Sequence, residues 1–179
     1  ENFFYMKIND ASIFIHKAFQ KDNPVERWAD LGCGGGTFTY ALVDNLKPGS
    51  MIYAVDKVMP LLNSTNEVRI QNISADIENI VFVAEELDGI LMANSLHYIK
   101  DKSKLIQRLG SFLKVNRKFL IVEYDTNKAN RWVPFPLPFK ELELLFKNPE
   151  FSHLNKIGER NSIFGPQKMY ACIVSRLFI

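Results

Sequence analysis

Residues Asp30-Leu31-Gly32-Cys33-Gly34-Gly35-Gly36-Thr37 set one carboxylate ahead of a cluster of glycines, between the apolar run Arg27-Trp28-Ala29 and an amphipathic stretch. Glycine carries no Cβ, so a backbone built this way can come within hydrogen-bonding distance of a ligand. A helix opening at Thr37 adds unpaired N–H groups at its N-terminus. The details decide which ligand. A triphosphate-binding loop ends in Gly-Lys-Ser/Thr, and no lysine follows these glycines until Lys47. A dinucleotide loop of the form Gly-x-Gly-x-x-Gly, started at Gly32, puts its last glycine on Thr37. The pattern present is Asp-x-Gly-x-Gly-x-Gly on Asp30, Gly32, Gly34 and Gly36. An acid before the glycines repels a pyrophosphate and suits a cationic ligand.

Further chemistry-bearing residues stand at the ends of other apolar runs. Asp56 follows Met51-Ile52-Tyr53-Ala54-Val55, about 20 residues past the glycines, where a carboxylate accepts both hydroxyls of a ribose. Capping a following helix is its competing role. Lys57 is placed to flank an adenine. Asn94 ends the run Leu91-Met92-Ala93, where its backbone and amide can meet a ligand or acceptor. His97 is a candidate general base, or a histidine that fixes the start of a helix. Tyr98 and Trp132 offer aromatic faces to a cationic group. In Glu123-Tyr124-Asp125, either carboxylate can orient an acceptor, bind a metal or pair with Arg131, and Asp125 is the second catalytic candidate. The run Arg131-Trp132-Val133-Pro134-Phe135-Pro136-Leu137-Pro138-Phe139 is too apolar for an idle surface loop. A pocket wall, a lid, a subunit contact and packing on a sheet edge are its open roles. Tyr124, Arg131 and Trp132 thus join His97 and Tyr98 on the substrate side.

The elements that must carry these residues alternate between strand-like and helix-like segments, the pattern of an α/β layer fold. A helix is predicted over 9–20, a strand over 27–31 and a helix from Thr37 to Leu46. Pro48-Gly49 turns the chain into a second strand ending at Asp56. A short crossover helix is predicted over 59–68, on Met59, Leu61 and Leu62. A third strand spans Val68 to Ser74, and a fourth Leu87 to Ala93. A helix follows over 101–113, with Leu105, Ile106, Leu109, Phe112 and Leu113 on one face. Phe119-Leu120-Ile121-Val122 reads as a fifth strand buried on both faces. Prolines rule out regular structure up to Pro138, and a short helix follows over 139–147. Two final strands, 151–159 and 168–178, joined by Phe164-Gly165-Pro166, form an antiparallel hairpin.

At 179 residues the chain is expected to be one domain, residues 1–179. Residues 1–24 form an N-terminal helical segment and 126–150 a proline- and aromatic-rich acceptor-side segment. A net charge of +2 without a dense Lys/Arg block gives no electrostatic reason to expect nucleic acid or an anionic membrane as partner. Cys33 and Cys172 read as reduced thiols of a cytoplasmic protein, and no zinc-type spacing is present, so no metal is expected. No signal peptide or membrane-length apolar run appears. Glu1 is not a natural initiator, so residues are expected to precede it.

The glycine pattern resembles motif I of the class I S-adenosylmethionine-dependent methyltransferases, and the resemblance runs along the chain. Ile8-Asn9-Asp10-Ala11, Trp28 to Gly34, Tyr53-Ala54-Val55-Asp56, Leu87 to Tyr98, Val122 to Asp125 and Asn130 to Leu137 are similar to a group of small bacterial methyltransferase-domain proteins. The resemblance implies a Rossmann-like, seven-stranded, mostly parallel sheet with helices on both faces and a C-terminal antiparallel hairpin. It implies S-adenosylmethionine as cofactor, held by Asp30, Gly32, Cys33, Gly34, Gly36, Thr37, Asp56, Lys57, Asp76, Ile77 and Asn94. Asp76 would accept from the adenine amino group, with Ile77 packed on the ring. One departure is Val115-Asn116-Arg117, where the family has Pro-Gly-Gly; Asn116 can supply a left-handed turn. The acceptor implied is a small molecule, methylated by in-line displacement, in a monomer or homo-oligomer. A non-catalytic cofactor-binding or partner subunit of the same fold, and a nicotinamide-dependent oxidoreductase, are the alternatives; Asp30, Thr37 and the hairpin weigh against the latter.

Overall fold

The computed structural model describes residues 6–84, 86–147, 151, 153–162 and 165–175. Parts of the segments named above, residues 1–5, 148–150 and 176–178, lie outside these, as does Phe164 of the hairpin turn.

Among the described residues, seven strands form one sheet: β1 (Arg27–Leu31), β2 (Met51–Asp56), β3 (Arg69–Ser74), β4 (Leu87–Ala93), β5 (Leu113–Asp125), β6 (His153–Asn161) and β7 (Lys168–Ser175). Their order is β3-β2-β1-β4-β5-β7-β6. The pairs from β3 to β5 are parallel, whereas β7 runs antiparallel to both β5 and β6. The expected mostly parallel sheet with its final hairpin is therefore the one observed. The order reverses between β1 and β4, which opens a crevice at the carboxyl ends of those strands.

Helices cover both faces. α1 (Ile8–Ile15) and α2 (Thr37–Asn45) pack Ala11, Ile15, Phe38, Ala41 and Leu42 against Trp28, Ile52, Leu91 and Leu120. On the other face, α3 (Lys102–Gly110) and α4 (Phe139–Leu145) lay Leu105, Ile106, Leu109 and Leu142 over Leu31, Ile90, Met92 and Phe119. Residues covered on both sides read as continuous apolar runs, which is why β1, β4 and the centre of β5 were legible. α3 starts where the Asp101 carboxylate accepts the Lys104 N–H at 3.0 Å.

Three expectations need correction. No helix crosses from β2 to β3. Instead, Asn72 bonds the Leu62 backbone at both N–H and C=O, and Ser64 does the same at Ile70. Such side-chain bonds compete with a helix, and Pro60 disfavours one further. The helix at 102 ends at Gly110, and Leu113 already belongs to β5. β5 is also far longer than its apolar centre: β7 pairs with it from Lys118 to Asp125, and Leu113 at its start pairs with Leu87 of β4. The departure at 115–117 lies inside this strand, where pairing with β4 jumps from Leu87–Leu113 to Gly89–Lys118. Among the described residues, no helix is long and apolar enough to cross a membrane.

Candidate active site

The glycine turn leaves β1 under two tethers: the N–H groups of Gly32 and Cys33 both donate to the Val55 carbonyl, at 2.8 and 3.0 Å. Gly32 has a φ of 80°, and a Cβ there would stand 2.5 Å from Ser95 Cβ. Gly34 is also left-handed, but its missing Cβ faces open space. The turn therefore needs one glycine to let strand ends approach and another to leave a ligand-sized gap. Cys33 contributes its backbone; its side chain packs on Ala54 and Ile70, and burial pushes the thiol pKa up. Cys33 and Cys172 are both free.

Asp30 is buried at the end of β1. Its Oδ2 accepts from the Thr39 hydroxyl at 2.6 Å, and its Oδ1 has no partner. Burial pushes the carboxyl up to about 7, with the Thr39 bond opposing and Asp56 adding to the rise. A cavity of about 220 Å³ adjoins it, bordered by Met6, Gly34, Thr37, Phe38 and Asn94. Asp56 faces a second cavity of about 390 Å³, with Lys57, Asp76, Ile77, Asn94 and Tyr98. Its two oxygens accept the N–H groups of Gly34 at 2.9 Å and Val58 at 3.1 Å. Lys57 pairs with Asp76 at 3.1 Å. Asp76 is held below the usual carboxylate range first by the Glu78 N–H, with help from Lys57.

Arg108 of α3 clamps this side from behind, donating to the carbonyls of Ile77, at 2.6 Å, and Ile80. Removing the guanidinium leaves both carbonyls short of a donor. Arg108→Ala is expected to lower stability by about 1–2 kcal/mol, read as a lower urea midpoint at unchanged slope.

A third cavity, about 550 Å³, opens beyond Asn94 between His97, Tyr98, Tyr124, Trp132 and Gln167. His97 is buried, and Glu123, fully buried, grips it twice. One carboxylate oxygen lies 2.7 Å from Nδ1 and the other accepts the His97 N–H at 3.1 Å. The His97 ring stacks obliquely on Tyr98 at 4.4 Å. Burial, then Glu123 and Tyr98, push the Tyr124 hydroxyl up to about 12. The Phe135 N–H donates to the His97 carbonyl, which ties the proline-rich segment to the cavity wall.

Not every candidate joins this constellation. The Glu123–Arg131 pair does not form, since Glu123 is engaged with His97; Arg131 is exposed and outside the cavity wall. Asp125 turns to the start of α4, where it accepts the Phe139 N–H at 3.0 Å. The N-terminal helix packs on α2 rather than on the acceptor cavity, and among the described residues of this segment Met6 alone reaches the cleft. Ser95, Asn130 and Gln167 escaped the sequence reading. Ser95 had a signal, its adjacency to Asn94 at a strand end, whereas hairpin folding alone delivers Gln167.

Asn94 borders all three cavities. Its φ of 54° is the left-handed exception among the described non-glycine residues, and its Oδ1 is buried without a partner. Asparagine takes this conformation more readily than other side chains, so the unpartnered amide oxygen, rather than backbone strain, marks the position.

The sequence profile of the methyltransferase-domain family matches residues 7–174. No curated protein sequence matches the chain. Among solved structures, the 1,6-didemethyltoxoflavin-N1-methyltransferase of Burkholderia thailandensis, with 1,6-didemethyltoxoflavin and S-adenosylhomocysteine bound, superposes with a TM-score of 0.67. It is 17% identical over 95% of this chain and 78% of its own. The YcgJ protein of Bacillus subtilis gives 0.69 at 13% identity, over 95% of this chain and all of its own. Phosphoethanolamine N-methyltransferase 2 of Haemonchus contortus, in complex with S-adenosyl-L-methionine, gives 0.70 at 14% identity, over 95% of this chain and 53% of its own. At such identities the likeness establishes the fold. The family match over nearly the whole length carries the assignment further: this chain belongs to the methyltransferase-domain family, the class I S-adenosylmethionine-dependent enzymes.

Proposed function

We propose that residues 1–179 act as one domain that methylates a small-molecule acceptor, with the cofactor along the two cavities on either side of the glycine turn and the acceptor beyond Asn94. When bound, S-adenosylmethionine supplies a methyl group made electrophilic by a positively charged sulfur. The observation that carries this reading is the unpartnered, buried Oδ1 of Asp30 beside a cavity that it shares with Asn94. A buried carboxylate oxygen without a donor is costly unless a ligand provides one, and the ammonium of an amino acid does so. Asp56 is positioned for ribose hydroxyls. Asp76 and Ile77 border the same cavity, where they suit the adenine edge and face. The 126–150 segment contributes Asn130, Trp132 and Val133 to the acceptor side.

The protein's main contribution is alignment. Holding two reactants in line can lower the barrier by about 7–11 kcal/mol. The test begins with binding: S-adenosylhomocysteine titrated into the protein should give a one-to-one isotherm. Asp56→Ala should weaken it about 10- to 100-fold, the loss of two charge-assisted hydrogen bonds to the ribose, with a small drop in apo stability because the Gly34 and Val58 N–H groups lose their acceptor. Unchanged affinity in Asp56→Ala would remove the ribose role, and no binding to the parent protein would remove the whole reading.

A further inference from the structure

We propose that the acceptor is an uncharged, planar aromatic or heteroaromatic compound with a weakly acidic O–H or ring N–H, and that His97, oriented by Glu123, takes its proton. The inference rests on the methyl-transfer reading and adds the acceptor's chemistry.

The cavity beyond Asn94 is sized for such a molecule, at about 550 Å³. Its wall combines the rings of Tyr98, Tyr124 and Trp132 with the amides of Asn94, Asn130 and Gln167. Aromatic faces favour a flat ring. Neutral amides can orient it by hydrogen bonds without selecting a charge. Among the described residues, none that borders the cavity is Lys, Arg, Asp or Glu. A phosphate or carboxylate would enter with no cation to meet it, and an alkylammonium with no carboxylate on the wall.

The histidine at the back of this cavity is prepared for proton transfer. A carboxylate only accepts, so Nδ1 carries the hydrogen of the 2.7 Å contact with Glu123. Nε2 is then the basic nitrogen, and no protein group among the described residues bonds it. A buried carboxylate on the far nitrogen fixes the ring's tautomer and stabilises the imidazolium that forms. Other groups face this pair. Tyr98 and Tyr124 lie against the imidazole, and Tyr170 of β7 and the Lys102 ammonium of α3 approach Glu123. Lys102 is tied to the carbonyls of Ile99 and Phe135, with Glu141 of α4 nearby.

The step balances without a further reagent. The acceptor's proton passes to Nε2 as its lone pair forms the bond to the methyl carbon. The carbon–sulfur bond breaks with its electron pair remaining on sulfur. The positive charge that leaves sulfur reappears on the imidazolium beside Glu123.

The experiment uses protein loaded with S-adenosylhomocysteine for binding and with S-adenosylmethionine for turnover. The probes are 2-naphthol and benzimidazole as uncharged rings, 6-hydroxy-2-naphthoate as the anion and 2-(1-naphthyl)ethylamine as the cation. An uncharged ring should bind best by calorimetry, shift the labelled His97 imidazole resonance and be methylated. Which uncharged ring reacts distinguishes oxygen from nitrogen transfer. His97→Gln should lose about 10²–10⁴-fold in turnover while S-adenosylhomocysteine affinity stays within twofold. Glu123→Gln should lower kcat about 10²-fold or more with the acceptor KM little changed, because the imidazolium that forms loses its anion. Preference for the anion or the amine, failure of both uncharged rings to be methylated, or turnover in His97→Gln within threefold of the parent would each overturn the proposal. Retained S-adenosylhomocysteine binding in those cases leaves the methyl-transfer reading standing, whereas its absence in the parent removes both.

Discussion

Gly32→Ala is expected to unfold about 2–4 kcal/mol more easily than the parent and to bind S-adenosylhomocysteine at least about 100-fold more weakly. Two costs add at this position. The φ of 80° is strained for any residue with a Cβ, and the new methyl would stand 2.5 Å from Ser95 Cβ. Neither neighbour can retreat cheaply. The Gly32 N–H is bonded to Val55 across the β1–β2 boundary. Ser95 is fixed by its hydroxyl to the Leu31 carbonyl at 2.6 Å, and the preceding Asn94 N–H to Val122 at 2.8 Å. Relief must therefore come from parting β1 and β4 at their carboxyl ends, where Asn94 borders every cavity of the site. Gly35→Ala is the control, because its Cβ would meet nothing within 4 Å and its φ is not left-handed. Its stability should change by less than about 1 kcal/mol. Urea unfolding and calorimetry on the two variants separate the effects, and a Gly32→Ala protein with parental affinity would show that this close approach does not shape the site.

The contrast between Gly32 and Gly35 also explains which parts of the site were legible in the sequence. Glycine spacing, Asp30 and Asp56 are local signals, each fixed by the geometry of one strand end and the turn after it. The strands β1, β2 and β4 announced themselves because burial on both faces demands uninterrupted apolar residues. The missing crossover helix did not, since its replacement depends on Asn72 reaching Leu62 and Ser64 reaching Ile70 across the sheet edge. The far end of β5 was hidden for a similar reason: Glu123 to Asp125 are held by β7, more than 40 positions later. The acceptor cavity is least legible of all. Asn94, His97, Tyr98, Tyr124, Asn130, Trp132, Val133 and Gln167 meet there only after folding. The partner of Glu123 could not be chosen from sequence because His97 and Arg131 were both chemically suitable. Burial settled it, placing the histidine beside the carboxylate and leaving the arginine exposed.

Asp30→Asn should produce the opposite pairing of effects, a more stable apo protein that has lost its cofactor. The carboxyl's pKa is about 7 when folded, against 3.8 for a free aspartate, so the folded state binds the proton more tightly. A raised carboxylate pKa contributes most below the unfolded value and loses that contribution as pH rises through the folded value. Apo stability should therefore fall between about pH 4 and 7, by on the order of 4 kcal/mol from this group. An ammonium at Oδ1 requires the ionised form, so binding runs the other way. S-Adenosylhomocysteine affinity should rise about 20-fold between roughly pH 5.5 and 7.5, with proton release detectable as a dependence of binding enthalpy on buffer ionisation. The amide introduced by Asp30→Asn would keep an acceptor for Thr39 but carry no charge. At about pH 7.5 the variant should gain about 1–3 kcal/mol in the apo state and lose about 10²–10³-fold in affinity, the cost of removing one partner of a buried ion pair. Near pH 5.5, where the parental carboxyl is itself mostly protonated, the gap between the two proteins should narrow about 20-fold, to roughly 5- to 50-fold. A parental affinity that ignores pH, or an Asp30→Asn protein that binds normally at pH 7.5, would mean that the unpartnered oxygen does not meet the ligand's ammonium, and the cofactor would have to lie in the cleft by other contacts.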